Sequence, residues 1–215
     1  MRRQRCVAPR ISLARVTPAA IALILLAAGR GERFGGGKLS APLAGKPLAR
    51  HAADTLRGIG FGAHIAVIGP DTPPLPGYAT IMLDPPGAPQ SRSLALGVAA
   101  ARDGGAQAVM IALADMPLVP VDHVRAMIAA FDGDRLASRG PDTMLPPVLF
   151  GARHFAALCS LEGDRGAGAL LRDAPALPLS PDAALDVDRA EDLARAERWQ
   201  RRRACARRVR HDKTV

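Results

Sequence analysis

Short aliphatic runs alternate along this chain with stretches whose apolar residues recur at helical spacing. IALILLA at 21–27, HIAVIG at 64–69, ATIML at 79–83 and QAVMIAL at 107–113 predict strands, and residues 47–58, 91–102 and 121–131 predict the helices between them. Strands that alternate with helices imply βαβ units around a mostly parallel sheet, an α/β fold of three layers with a Rossmann-like sheet. AVMIALA at 108–114 has no polar face, as a central strand covered on both sides requires. The second half predicts a strand at 144–150, helices at 152–158 and 166–172, a strand near 183–187 and a final helix at 190–203. Helix starts are expected at Ser91 and Ser93 ahead of ALGVAAA, at Asp122 after Pro120, and at Asp188 before Glu191 and Asp192.

Composition places these elements in one domain: 215 residues, 48% of them hydrophobic, suffice for a sizeable core, and no Pro/Gly linker divides them. The net charge of +9 is unevenly spread, because residues 1–20 carry five Arg and no acid, residues 195–215 carry nine basic and two acidic side chains, and 21–194 is left near −3. Residues 1–20 are therefore expected to be a basic, disordered extension, 21–195 the folded domain, and 196–215 an Arg-rich helix end and tail. With aromatic residues at 3%, no basic stripe interleaved with aromatics crosses the body, and nucleic acid is not expected as a partner. Cys6, Cys159 and Cys205 form no disulfide framework and no zinc-type spacing, nor do the histidines pair at ligand spacing.

AAIALILLAA at 19–28, behind Arg2, Arg3 and Arg5, has the length of a signal-peptide core. It runs straight into a polar loop that needs it as a supporting strand, and it is shorter than the roughly 20 apolar residues of a membrane span. No membrane association and a reducing cytoplasm are expected.

The chemistry gathers where the first strand ends. GRGERFGGGKL at 29–39 holds five glycines, which let backbone N–H groups approach an anion closely, together with Arg33 and Lys38. Neither common glycine motif fits: the Rossmann fingerprint meets Phe34, and the Walker pattern meets Glu32 and Leu39. A triphosphate site or a plain βα turn remains. In open α/β sheets ligands bind beyond the carboxyl ends of strands, and Asp84, Asp115, Asp186 and Asp188 all follow predicted strands. Asp115 in ADMP is either a turn former before proline or a ligand aimed into the crevice. Asp115 with Asp188 would suit Mg²⁺, which takes one or two carboxylates plus phosphate oxygens, with Asp186 on the same face as support; helix capping is the other role open to Asp188.

LAAGRGERFGGGKLSAPLAGKPL resembles the opening of cytidylyltransferase-type nucleotidyltransferases with a GT-A-like fold, above all the molybdenum cofactor cytidylyltransferases of the MobA-like NTP transferase family and their guanylyltransferase cousins. IALADMPLV, PPVLF, LEGDRGAGALL and LDVDRAEDL resemble the family's later motifs, so the similarity runs from 21 to about 195. The resemblance implies that Leu26, Ala27, Ala28 and Gly29 meet the base and ribose, and that Gly31, Asp84, Ser91 and Ser93 complete the nucleotide site. It also implies that Arg33 and Lys38 meet the triphosphate and that Asp115 and Asp188 hold Mg²⁺. LAAG rather than LAGG goes in this family with CTP rather than GTP.

The implied reaction is transfer of CMP from CTP to the terminal phosphate of Mo-molybdopterin, a phosphorylated pterin, with release of pyrophosphate. Handover to a molybdoenzyme or its insertion chaperone would follow. The acceptor phosphate is its own nucleophile, so Arg33, Lys38 and Asp115 would carry catalysis by positioning and charge neutralisation. The departures fall on the acceptor side: PQSRSL at 89–94 lacks the family's glycine, Leu145, Pro146 and Pro147 replace a G-H-P, Arg189 and Ala190 replace Thr-Pro, and Gly168 replaces an arginine. A sugar phosphate or methylerythritol phosphate therefore stands as an alternative acceptor, GTP as an alternative donor, and a non-catalytic nucleotide- or nucleic-acid-binding protein as the remaining reading.

Overall fold

In a computed structural model that describes residues 16–163 and 166–211, the strand Ile21–Ala27 (β1) is the axis of the molecule. Every residue of it is apolar, and the pleat sends Leu23 and Leu25 to one face and Ala22 and Ile24 to the other. The remaining elements follow in order: a short hairpin of β2 (Pro42–Leu43) and β3 (Lys46–Pro47), then α1 (Leu48–Arg57), β4 (Ala63–Ile68), β5 (Ala79–Met82), α2 (Gln90–Asp103) and β6 (Ala108–Leu113). After these come α3 (Val121–Ala130), β7 (Arg135–Arg139), β8 (Met144–Gly151), α4 (Phe155–Cys159), β9 (Ala176–Pro178) and α5 (Ala190–His211).

Seven strands form one sheet in the order β5-β4-β1-β6-β8-β7-β9. β1 lies parallel between β4 and β6, with Leu26 beside Val67 and Leu113, while β8 runs antiparallel to both β6 and β7. α1 and α3 cover one face through Ala52, Ala53, Leu56, Val124 and Met127. α2 and α4 cover the other through Leu94, Val98, Phe155 and Leu158. The result is the expected three-layer, mostly parallel α/β fold. Helix α2 comes close enough to the sheet that a Cβ on Gly97 would stand 2.5 Å from Ile24, so only glycine permits that approach.

The parallel half matches the sequence pattern to within a residue or two, and the other half corrects it. Residues 183–187 form turns and extended coil, not a strand. Their apolar period is real, but Leu185 and Val187 are buried against Leu43, Leu48 and Ala196 of α5, away from any free sheet edge. The helix at 166–172 is a 3-10 segment, Ala167–Leu171, and that at 152–158 is a 3-10 turn followed by α4. β7, β9 and the β2–β3 hairpin carry no strand signal in the sequence: RLASR is more than half polar, and the three-residue β9 follows Pro175 and ends on Pro178. Ser91 and Ser93 sit inside the first turn of α2, which opens at Gln90 behind Pro89, so neither caps it. α5 is opened not by Asp188 but by Asp192, whose Oδ2 accepts from the backbone N–H groups of Asp188 and Arg189.

Structure also precedes residue 21: Pro18–Ala20 make a 3-10 turn, and Val16 packs on the core. Residues 1–15 and 212–215, with the Asp164-Arg165 pair of the GDRGAG segment, lie outside the described residues. No helix among the described residues is long and apolar enough to cross a membrane.

Candidate active site

The carboxyl ends of β1 and β6 lie side by side, and each releases a loop into the same crevice. After β1, Gly31, Gly35, Gly36 and Gly37 all take positive φ, a run that only glycine adopts without strain. Gly31 accepts backbone bonds from Phe34 and Gly36, so the loop folds back on itself and a second 3-10 turn, Lys38–Ser40, brings Lys38 inward. A Cβ on Gly31 would stand 2.9 Å from the Lys38 Cβ; the loop closes against the lysine stem.

After β6 the chain stops at Asp115. Its carbonyl accepts the N–H of Val187 at 3.0 Å, and this single bond, with Leu185 and Val187 buried below it, holds the 186–188 coil beside the strand end. Asp186 and Asp188 therefore reach the crevice without being on a strand. The Lys38 ammonium lies 2.8 Å from Oδ2 of Asp115 and 3.0 Å from Oδ1 of Asp188, with the lysine only 6% exposed. Arg33, on the open side, reaches Oδ2 of Asp188 at 3.2 Å.

These contacts set the charges. Burial alone would lower the Lys38 pKa, but the charge of Asp115 and the hydrogen bonds to Asp115 and Asp188 outweigh it and raise the pKa above its ordinary value. The hydrogen bond from Lys38, aided by its charge and that of Arg33, holds Asp188 below the usual carboxylate range. Asp186 keeps contact with solvent in the crevice, but partial withdrawal from water and the nearby charge of Asp115 push its pKa up to about 7. The other oxygen of Asp115, Oδ1, is buried with no hydrogen-bond partner. A buried carboxylate oxygen without a donor is costly, and a hard cation would satisfy it. Among the described residues no three such side chains form a ready metal cage, so Asp115 and Asp188, with Asp186 nearby, fit an ion whose remaining ligands are waters or phosphate oxygens.

The crevice is about 700 Å³ and is lined by Leu26, Ala28, Gly29, Gly31, Arg33 and Lys38 on one side and by Gln90, Ser93, Asp115, Asp186 and Asp188 on the other. A pocket of about 240 Å³ adjoins it between Ala28 and Gly29 and the loop after β4, with Gly69, Asp71 and Thr72 as its far wall. On the other flank a cavity of about 290 Å³ runs under the sheet, walled by Leu94, Ile111, Val148 and Leu171 and opening beside Gln90 and Asp186.

Most sequence-nominated residues thus meet at one place, and three do not line it. Ala27 is buried, its carbonyl taken by the Thr72 hydroxyl at 2.6 Å. Ser91 is buried in α2, its N–H bonded to the Gly163 carbonyl. Asp84 is exposed beyond β5, and Pro86 and Gly87 of its loop face the cavities instead. Sequence reasoning passed over Thr72, which also accepts the Gly69 N–H and so shapes the smaller pocket, and Arg30, whose guanidinium donates to the Gly87 carbonyl across the crevice. A Thr before two prolines signals a turn but not its partner.

Comparison with known proteins shows the family and the fold. The family model of the MobA-like NTP transferase domain matches residues 23–179. The chain belongs to the MobA-like NTP transferase family. Among curated proteins it is 28% identical over 162 residues to the purine catabolism protein PucB of Bacillus subtilis, a span of 69% of this chain and 79% of that protein. Its fold is that of Rv0371c from Mycobacterium tuberculosis, at 23% identity and a TM-score of 0.71 over 83% of this chain and 98% of the other. It is also that of a nucleotidyl transferase from Methanothermobacter, at 20% identity and a TM-score of 0.72 over 85% and 98%. Rv0371c has also been solved in complex with manganese, a structure matched at 23% identity and a TM-score of 0.66 over 81% of this chain and 96% of that one. The chain is a nucleotidyltransferase of this family.

Proposed function

We propose that this nucleotidyltransferase moves CMP from CTP to the terminal phosphate of Mo-molybdopterin, giving molybdopterin cytosine dinucleotide and pyrophosphate. The observation that carries the reading is the buried ammonium of Lys38 between Asp115 and Asp188, at the head of a crevice floored by the glycine loop. An acceptor phosphate oxygen attacks the α-phosphorus, the bond from that phosphorus to the bridging oxygen breaks, and pyrophosphate leaves with the electron pair. No protein base is required, because a phosphate monoester is already largely ionised near neutral pH. Asp115 and Asp188 would hold Mg²⁺, which when bound polarises the α-phosphate. Lys38 and Arg33 balance the charge that gathers on pyrophosphate, and the backbone of Ala28, Gly29 and Gly31 gives the nucleotide a close-fitting floor.

The acceptor side supports a flat ring better than a polyol. The walls of the 290 Å³ cavity are aliphatic, suited to the faces of a pterin, and among its described lining residues only Gln90 and Asp186 carry polar side chains. Pyrophosphate release tests the proposal: with Mg²⁺, turnover should require both CTP and molybdate-loaded molybdopterin, and GTP should replace CTP poorly. Turnover with GTP alone as donor, or with a polyol phosphate in place of the pterin, would overturn it.

A further inference from the structure

In the nucleotide-free protein the two carboxylates read as metal ligands already have a cation, and it belongs to the chain. The Lys38 ammonium makes one contact of 2.8 Å to Asp115 and one of 3.0 Å to Asp188, so it stands where an ion bridging the pair would stand. The lysine is only 6% exposed, and its stem is packed against Gly31. A metal ion arriving alone would have to expel this ammonium from both carboxylates into a crevice that offers no anion in their place, so two ion pairs are lost for the ligands gained. It would also find no third ligand in place, since no three-residue cage exists among the described residues.

A nucleotide changes both conditions at once. Lys38 lines the 700 Å³ crevice as well as the carboxylate pair, so a small rotation of its side chain carries the ammonium from Asp115 and Asp188 onto phosphate oxygens lying in the crevice. The same phosphates supply the oxygens that the metal lacks. The geometry points to a second role for Lys38: it is the resident counter-ion of Asp115 and Asp188, and it admits the metal only together with the nucleotide. The inference rests on the reading of these two aspartates as metal ligands, and it is independent of which acceptor is used. By linkage the coupling is reciprocal, so metal strengthens nucleotide binding by the same factor as nucleotide strengthens metal binding.

Binding of Mn²⁺, followed by the electron paramagnetic resonance signal of the free ion and corrected for the Mn²⁺ that CTP holds in protein-free solution, tests this without any turnover. Wild-type protein should take up Mn²⁺ weakly alone and at least about tenfold more tightly with CTP present. Lys38→Met should bind Mn²⁺ alone about tenfold more tightly than wild type, with the gain from CTP much reduced. Two results would overturn the inference and leave the metal site standing: wild type binding Mn²⁺ equally well with and without CTP, or Lys38→Met gaining nothing over wild type. Failure of both proteins to bind Mn²⁺ even with CTP would overturn the inference together with the assignment of Asp115 and Asp188. If Lys38→Met does not fold, Lys38→Gln takes its place, and equal Mn²⁺ binding by wild type with and without CTP still overturns the inference.

Discussion

The charged crevice and the apolar cavity beside it share a wall at Leu26, Leu113, Gln90 and Asp186, but they are built by different rules. The crevice takes its groups from the loops after two adjacent parallel strands and from the 186–188 coil beside them, and each group is tied down: Lys38 by two ion pairs, Asp115 by its carbonyl bond to Val187, Asp188 by Lys38 and Arg33. The cavity is roofed by α2 and the 3-10 segment 167–171 over the antiparallel strand β8, and its walls are aliphatic side chains. Fixed charge places a phosphate and a metal within narrow limits, whereas aliphatic walls select by shape. On the proposed reading, in which the crevice takes the donor and the cavity the acceptor, donor chemistry is set rigidly on one side and the choice of acceptor lies in residues that can change without disturbing it.

The sharpest way to break this comparison is to remove one charge. Lys38→Ala or Asp115→Asn should lower turnover by about a hundredfold or more, measured as pyrophosphate release, while circular dichroism shows an intact fold. Lys38→Ala also leaves Asp115 and Asp188 without their buried partner, so it should melt earlier than Asp115→Asn. Next comes the loop: Gly31→Ala forces a side chain into a position with φ of 60° and against the lysine stem, at a cost of about 2 kcal/mol, read as an increase of roughly 30-fold in the KM for CTP.

On the other side, Gly168 lines the apolar cavity with open space where its Cβ would stand. Gly168→Leu should fill part of the cavity and raise the acceptor KM about fivefold to tenfold, with the KM for CTP unchanged. An equal rise in both would show that the two regions are not separate. The smallest effect lies away from both. The hydrogen bond from His154, with the charges of Arg135 and Arg153, holds Asp134 below its ordinary range. Such a lowered carboxylate adds stability that is present above its unfolded pKa of about 4 and is lost as pH falls through the folded value. His154→Ala should therefore cost less than about 1 kcal/mol through this ion pair at neutral pH, a loss that shrinks in denaturation curves as pH falls through the folded value of Asp134, with activity unaffected.

The same division governs what could be read in the sequence. The parallel half was legible because its two central strands, β1 and β6, are continuous aliphatic runs and its outer strands are short β-branched runs between turn residues, and AVMIALA admits no other reading. The charged crevice was legible with it, since strand ends mark where ligands bind and Lys38, Asp115 and Asp188 carry charge that must be explained. Residues 183–187 misled for a physical reason: alternation reports which side is buried, and burial against α5 looks the same as burial in a sheet. β7 was hidden because Arg135 and Arg139 interrupt it; Arg135 bonds the Leu170 carbonyl, a tertiary partner that no local pattern announces. Thr72 and Arg30 were missed for the same cause, because their partners lie 45 and 57 residues away along the chain.

The central claim is that a nucleotide monophosphate is transferred from CTP to a phosphate acceptor in the charged crevice. CTP radiolabelled at its α-phosphorus, incubated with the protein, Mg²⁺ and molybdate-loaded molybdopterin, tests it most directly. The account predicts label in a pterin dinucleotide, in amounts matching the pyrophosphate released, formed about a hundredfold or more slowly when Asp115 is replaced by Asn. Label recovered only as free CMP, or transfer at an undiminished rate with Asp115→Asn, would contradict it.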